Sequence, residues 1–248
     1  MSTLAIIPSR YQSSRFPGKP LADIAGKTMI HRVYDRCKIA FDYVIVATDD
    51  KRIEEEVASF DGESVMTSQD HPNGTSRVLE AYKKYSKSHP EIKIDLIINI
   101  QGDEPLISPK QLLSLEKLFI DQDVNLATLV KKIETNEELF DINTPKVIVD
   151  NSFYALYFSR STIPFLRDYE KIEWLKHHTF YKHIGLYAYR PQMLEKIVSM
   201  AIGSLEKAES LEQLRWLENG LKIKVVETNY ESVSVDVPSD IQKVLSNL

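Results

Sequence analysis

Three cations, Arg10, Arg15 and Lys19, stand within ten residues in the run Pro8-Ser-Arg-Tyr-Gln-Ser-Ser-Arg-Phe-Pro-Gly-Lys-Pro20. Together they can neutralise a triphosphate. Ser13, Ser14 and Gly18 permit a tight backbone whose N–H groups can face an anion. The run is not a Walker loop, because the G-x-x-x-x-G-K-[ST] spacing fails and Pro20 follows the lysine. On composition alone, a solvated basic loop explains it equally well. A second group is Gln101-Gly-Asp-Glu-Pro105. A carboxylate there, Asp103 first, suits Mg²⁺, which takes a few carboxylate oxygens together with substrate phosphates. An ordinary acidic turn closing a strand is the competing reading. A third is Val235-Asp-Val-Pro-Ser-Asp240. A strand end followed by a helix start, capped by Ser239 or Asp240, accounts for Asp240 but leaves Asp236 unassigned. No serine–histidine or cysteine–histidine constellation points to covalent catalysis.

Such groups act only if a frame brings them together. Leu4–Pro8 reads as a short buried strand that feeds the polar loop Ser9–Pro20. A helix is expected over Thr28–Ala40, then a strand at Tyr43–Thr48 ended by Asp49 and Asp50. Lys51–Phe60 reads as helix, Ser64–Thr67 as strand, Arg77–Ser86 as helix, and Asp95–Gln101 as an apolar strand stopped by Gly102. Strand and helix in alternation imply βαβ units and a mainly parallel sheet. Both faces of such a sheet are covered, which explains apolar runs without alternation. Ligands of open α/β sheets bind at the carboxyl ends of the strands. The loops that leave those ends are Ser9–Pro20, Thr48–Asp50 and Gln101–Pro105.

The second half has another character. Asn125–Lys132, Lys146–Asp150, Tyr154–Ser159 and His183–Tyr189 read as strands with short connections, antiparallel and partly in an arm. Ser204–Asn219 reads as one helix, with Ser204 as N-cap and Gly220 just past its end. No Pro/Gly-rich linker divides the chain, so a single domain over 1–248 is expected, carrying an arm within about 125–190.

Composition narrows the classes. The chain has 248 residues, 43% hydrophobic, and a formal net charge of −5. That charge argues against a nucleic-acid footprint, which shows a basic excess. The one cysteine, Cys37, excludes an intramolecular disulfide and a zinc ribbon, and reads as a core thiol. His177, His178 and His183 hint at a metal cluster, but no carboxylate or cysteine pattern supports it. No apolar run approaches the about 20 residues that cross a bilayer, and no signal pattern opens the chain. A cytoplasmic location without membrane insertion is the expectation.

The motifs, taken together, resemble the 3-deoxy-manno-octulosonate cytidylyltransferases, the CMP-Kdo synthetases. The first loop, Arg10 to Leu21, resembles that family's nucleotide-binding loop, and Val46-Ala-Thr-Asp-Asp50 its second-strand motif. Met66-Thr67, His71-Pro-Asn-Gly-Thr75 and Arg77 resemble its cytosine-contacting segment, and Asn99-Ile-Gln-Gly-Asp-Glu-Pro105 its metal and sugar loop. Tyr154-Ala-Leu-Tyr-Phe-Ser-Arg160, His183-Ile-Gly-Leu-Tyr187, Ser210-Leu-Glu-Gln-Leu-Arg215 and Val235-Asp236 follow in the family order. Departures are Ser76 where the family often has glutamate, no glycine before Asp236, Val237 for a frequent threonine, and a shortened Arg167–Lys182 segment. The resemblance implies a Rossmann-like nucleotide-diphospho-sugar transferase fold, mainly parallel with a small antiparallel arm. It implies CMP transfer from CTP to Kdo or a close 3-deoxy-ulosonic acid, for lipopolysaccharide biosynthesis, in a Mg²⁺-dependent homodimer. Arg10, Arg15 and Lys19 would hold the triphosphate, with Arg10 and Lys19 counted as catalytic. Thr48, Gly74 and Arg77 would frame cytosine and ribose. Asp103 and Asp236 would bind magnesium. Gln101, Arg160, His183, Tyr187, Glu212 and Gln213 would hold the sugar acid. A transferase for another sugar acid, such as one making CMP-sialic acid, or for a sugar phosphate would share the first loop. A non-catalytic nucleotide-binding module would not need both carboxylates.

Overall fold

Leu4–Ile7, Ile45–Ala47 and Leu96–Ile98 are fully shielded from solvent. Three apolar runs without polar alternation form the middle of a sheet covered on both faces. The computed structural model describes residues 1–13, 15–231 and 233–248, so Ser14 of the basic loop lies outside the described residues. The chain divides into two compact units. The first comprises Met1–Lys117, Ala188–Val198 and Glu231–Leu248, the second Leu118–Tyr187 and Ser199–Tyr230.

The strands of the first unit are β1 (Thr3–Ser9), β2 (Asp23–Ile24), β3 (Lys27–Thr28), β4 (Tyr43–Thr48), β5 (Ser64–Met66) and β6 (Leu96–Asn99). β2 and β3 make a small hairpin of their own. β1 lies between β4 and β6, with β5 beyond β4, and every one of these pairings is parallel. Its helices include α1 (Met29–Ala40), α2 (Lys51–Ser59), α3 (Gly74–Ser88) and α4 (Pro109–Lys117). Each of the first three starts at a side-chain cap. The Thr28 hydroxyl accepts from His31 N–H at 3.3 Å, Asp50 from Arg52 N–H at 3.0 Å, and Asn73 from Ser76 N–H at 2.9 Å. α1 buries Met29, Ile30, Val33, Tyr34 and Cys37, one stripe at helical spacing. Burial pushes the Cys37 thiol well above its ordinary value, in keeping with a core thiol.

The chain runs outward from β1 through β4 to β5, and α3 then returns it across β1 to β6. Strand order therefore reverses between β1 and β6, the position where open α/β sheets leave a crevice beyond the strand ends. The two loops at this point run close together. A Cβ on Gly102 would stand 3.1 Å from the Pro8 carbonyl oxygen, so the β6 loop passes β1 where only glycine fits without a shift.

The second unit holds β7 (Leu126–Lys132), β8 (Lys146–Val149), β9 (Ala155–Ser159), β10 (Tyr181–Tyr189, its last two residues in the first unit) and β11 (Lys224–Glu227). β8 pairs antiparallel with β9 and β10, as the sequence suggests, while β11, which the sequence reading lacks, pairs parallel with β7. The expected helix Ser204–Asn219 is two short ones, Ser204–Glu209 and Gln213–Glu218. They part at Ser210, whose backbone is left-handed at φ 51°. Side-chain bonds from Arg160 explain the break. Its Nε donates to the Glu209 carbonyl at 2.7 Å and its Nη2 to that of Ser210 at 3.4 Å. The Glu209 carboxylate in turn accepts from the Ser159 hydroxyl at 2.7 Å and Arg160 N–H at 2.9 Å. Gly203 rather than Ser204 takes the N-cap position, and Gly220, at φ 73°, closes the second helix as expected.

Candidate active site

Eight of the expected residues meet in one cavity of about 340 Å³ in the first unit. The β1 loop gives Arg10, Arg15 and Lys19, the start of α3 gives Gly74 and Arg77, the β6 loop gives Gln101 and Asp103, and Asp236 completes the wall. Thr48 does not line it. This residue is fully buried, and its carbonyl accepts from Thr67 N–H at 2.7 Å and the Thr67 hydroxyl at 3.1 Å.

Lys19 ties the walls together. Its Nζ donates to Asp103 Oδ2 at 2.7 Å and to the Val235 carbonyl at 2.9 Å. Val235 N–H donates to the Asp103 carbonyl at 2.9 Å. The lysine and aspartate side chains are 16% and 27% exposed, shielded enough for their attraction to exceed that of a surface pair. Arg15 and Asp236 also pair, at 2.8 Å, but with 65% and 46% of their side chains exposed. Each carboxylate expected to bind metal thus has a loop cation against it. Asp236 does not follow a strand, contrary to the sequence reading; residues 233–237 have no regular structure. Side-chain acceptance replaces the ladder. Asp240 Oδ2 takes the N–H groups of Asp236 at 3.0 Å and Val237 at 3.1 Å. Lys243 and these backbone donors hold the Asp240 carboxyl down at about 2. Asp240, not Ser239, is therefore the residue whose side chain fixes this turn.

Arg77 is 4% exposed. Its Nη2 meets Asp49 Oδ2 at 2.7 Å and its Nη1 the Thr67 hydroxyl at 2.5 Å, so it staples the ends of β4 and β5 beside the cavity. His71, a wall residue outside the expected set, is held from both sides. One ring nitrogen lies 3.1 Å from the Ser76 hydroxyl and the other contacts the Glu80 carboxylate. Partial burial raises the Glu80 carboxyl, but hydrogen bonds from Lys84, Ser68 N–H and His71 outweigh that and hold it at about 2. Ser76 is thus a partner of this histidine.

The remaining expected residues belong to the second unit. The His183 Nε2 lies 3.0 Å from the Thr128 hydroxyl, which also lies 2.7 Å from the Leu186 carbonyl. A hydroxyl has a single proton. Given to Leu186, it leaves Thr128 to accept from His183 Nε2–H, and Nδ1 is then the bare acceptor. Phe158 and Tyr187 pack against the same ring at centroid distances of 5.1 and 5.2 Å, and Tyr187 meets Trp216 at 4.9 Å. Desolvation holds the imidazole at about 3, although part of the residue stays accessible. Gln213 is 4% exposed, and its Nε2 has no partner among the described residues; such a buried donor gains by meeting a ligand acceptor. Its neighbour Glu212 lies 3.4 Å from Arg215. The Arg160 guanidinium is committed to the backbone through the bonds above and a third to the Ile142 carbonyl at 3.1 Å. Each of its Nη atoms keeps a second N–H.

A cytidylyltransferase family model matches residues 4–223. A 3-deoxy-manno-octulosonate cytidylyltransferase of Parabacteroides distasonis is 51% identical over 252 residues, covering 100% of this chain and 98% of the relative. One of Cytophaga hutchinsonii is 53% identical over 247 residues, 98% of this chain and 96% of that one. The chain belongs to the 3-deoxy-manno-octulosonate cytidylyltransferase family. Among solved structures, the CMP:2-keto-3-deoxy-manno-octonic acid synthetase complexed with CTP superimposes with a TM-score of 0.89 at 38% identity, covering 100% of this chain and 98% of that one. The fold is thus the α/β nucleotidyltransferase fold, with a mainly parallel sheet and a smaller antiparallel part.

The cavity of this cytidylyltransferase also has members to which the sequence assigned no role of their own. Ser9 is 4% exposed and its hydroxyl has no partner among the described residues, yet the residue lines the cavity. Its signal was position, the last residue of β1. Asn73 could have been found as the cap of α3, directly before Gly74.

The depressed His183 imidazole has a consequence for stability. Between about 6.5, the ordinary imidazole value, and about 3, the unfolded chain takes up a proton that folded His183 refuses. Stability is therefore highest above the upper value and falls as pH drops through this window. His183→Gln should flatten that fall. In urea unfolding at about pH 5, the wild type should have lost up to about 2 kcal/mol more than the variant, relative to pH 7.5. Equal pH dependence of the two proteins would show the imidazole to be solvated.

Proposed function

We propose that this protein transfers CMP from CTP to the anomeric hydroxyl of Kdo, giving CMP-Kdo and pyrophosphate for lipopolysaccharide biosynthesis. The observation that carries the reading is the crevice in which Arg10, Arg15 and Lys19 converge with Asp103 and Asp236, in a chain that matches cytidylyltransferases of that specificity over its full length. The C2 hydroxyl oxygen forms a bond to the α-phosphorus, the bond from that phosphorus to the pyrophosphate oxygen breaks, and the hydroxyl proton passes to solvent. Arg10, Arg15 and Lys19 bind the triphosphate and stabilise the charge that appears on pyrophosphate. Gly74 and Arg77 flank the nucleoside, and Thr48 acts on Arg77 through Thr67. The family resemblance assigns the sugar acid to Gln101 and to Arg160, His183, Tyr187, Glu212 and Gln213. The second N–H on each Arg160 Nη suits its carboxylate, and neutral His183 offers Nδ1 to a sugar hydroxyl.

Two carboxylates beside phosphate-binding cations are a donor set that fits magnesium, which completes its shell with phosphate and water oxygens. Asp103 and Asp236 would hold it. When bound, it supplies charge neutralisation at the phosphates and a lower pKa for the attacking hydroxyl. The protein's own residues position and neutralise, and no covalent intermediate on the chain is needed.

We further propose a cytoplasmic homodimer. Its support is the family resemblance together with four apolar side chains of the second unit, Ile142, Leu156, Phe165 and Ile172, that are 59–70% exposed and that an interface would cover. Among the described residues no helix is long and apolar enough to cross a membrane.

Pyrophosphate release should be fast with CTP, Mg²⁺ and Kdo and slow with ATP or GTP; equal rates with a purine triphosphate would remove the cytidylyl reading. Asp236→Asn and Asp103→Asn should each slow turnover about 10²–10⁴-fold, since each removes charge that holds a hard cation. The double variant should be little worse, because the two act as a unit. Near-normal, magnesium-dependent turnover in Asp236→Asn would exclude that residue from the metal site. Light scattering at micromolar concentration should give twice the 28.5 kDa chain mass; the monomer mass would refute the dimer.

A further inference from the structure

The loop that carries Arg10, Arg15 and Lys19 has no strand or regular helix among its described residues from Arg10 to Gly18. Something else must hold its shape. One closure is the hydrogen bond from Gly18 N–H to the Tyr11 carbonyl, at 2.9 Å. Gly18 takes φ +74°, and a Cβ there would stand 3.0 Å from the Tyr11 hydroxyl oxygen, so the tyrosine ring lies against the Gly18 backbone. The same ring is covered by Arg52, whose Cζ is 3.3 Å from the ring centroid. Arg52 sits in the first turn of α2. Its Nε and Nη2 donate to the two carboxylate oxygens of Asp50 at 2.9 and 2.7 Å. Asp50 also caps α2. A guanidinium held flat by a bidentate carboxylate has its plane fixed and presents a face for stacking.

The stack does not belong to the crevice. Tyr11, Gln12, Pro17 and Arg52 line a separate groove that shares only Arg10 and Ser13 with the nucleotide cavity. The loop is thus a wall between two cavities, with Arg15 and Lys19 on the first, Arg10 on both and the stack on the second. Arg52 is no core residue either, with 55% of its side chain exposed.

We propose that Tyr11 and Arg52 are positioning residues for CTP: their stack, anchored by Asp50 on α2, pins the loop in the shape that keeps Arg10, Arg15 and Lys19 in the crevice. The inference rests on the reading of this loop as the triphosphate site. Its physical basis is entropy. A loop without regular structure must be ordered when its cations meet the phosphates, and a brace already present removes part of that cost. The brace acts on nucleotide affinity rather than on the bond-making step.

Steady-state kinetics and calorimetric CTP binding of Arg52→Met, Tyr11→Ala, Tyr11→Phe and the Arg52→Met/Tyr11→Ala pair test this, with Lys19→Met as control. Arg52→Met and Tyr11→Ala should each raise the KM and Kd for CTP about three- to tenfold, with kcat and the KM for the sugar acid unchanged. Tyr11→Phe keeps the ring and should restore near-normal CTP affinity. The double variant should be no weaker than the weaker single one, because both remove one contact. Unchanged CTP affinity in Arg52→Met, or additive losses in the pair, would overturn the proposal. If Lys19→Met weakens CTP binding but Arg52→Met does not, the loop reading stands and the brace falls. If Lys19→Met leaves CTP binding unchanged, both fall. Should Tyr11→Ala fail to fold, Arg52→Met carries the test, since its site is exposed.

Discussion

The Lys19 ammonium lies 2.7 Å from Asp103 Oδ2 and 2.9 Å from the Val235 carbonyl, and through it three segments that are remote in sequence share one charge. Without it, Asp103 would stand unneutralised in a partly shielded wall, and residues 233–237, which have no ladder of their own, would lose a backbone anchor. The second anchor, Val235 N–H on the Asp103 carbonyl, depends on the same approach. The pair is only partly exposed, so its attraction is less screened than that of Arg15 and Asp236 at the rim. On the proposed function the cations and carboxylates neutralise each other while the crevice is free, and exchange partners when phosphates and metal arrive.

The crevice lies where it does because of strand order. β1 is central, β4 and β5 fill one side, and α3 carries the chain back to β6 on the other. Loops that leave adjacent strands in opposite directions open a gap beyond the sheet, and here those loops carry the cations and Asp103. The helix starts add their share. Asn73 fixes the first turn of α3 beside the cavity, and Asp50 caps α2 while holding Arg52. One short polar residue thus serves both the backbone and a side chain at a site edge.

The second unit works by anchoring polar groups on backbone. Lys146 has no exposure, and its ammonium donates to the carbonyls of Asp141, Thr144 and Arg160 at 2.7, 2.8 and 2.9 Å. Desolvation lowers its pKa, but three donors meeting three acceptors make its burial tolerable. Arg160 and Glu209 continue the network, and Thr128 fixes the tautomer of His183. Networks of this kind give a side chain one orientation, which the proposed sugar-acid site would need.

Much of this was legible from residues. Continuous apolar runs marked β1, β4 and β6. Gly220 marked the end of a helix, because caps act within a few positions along the chain. The cations of the first loop and the carboxylate of Asp103 could be named as chemistry, since residue type and strand end suffice for that. Tertiary structure decided the rest. The break at Ser210 comes from Arg160, about fifty positions earlier, and no local propensity could register it. Thr48 turned inward and Arg77 became a staple because Thr67 and Asp49 are their neighbours only once β4 and β5 pair. Asp236 reached the cavity without a strand, held by Asp240 and by the backbone of its neighbour Val235. Sequence alone determined which groups were available and the local geometry of each, because those depend on covalent structure and on contacts a few residues away. Which charge faces which was settled by folding, because that depends on distances across the sheet that no spacing along the chain encodes.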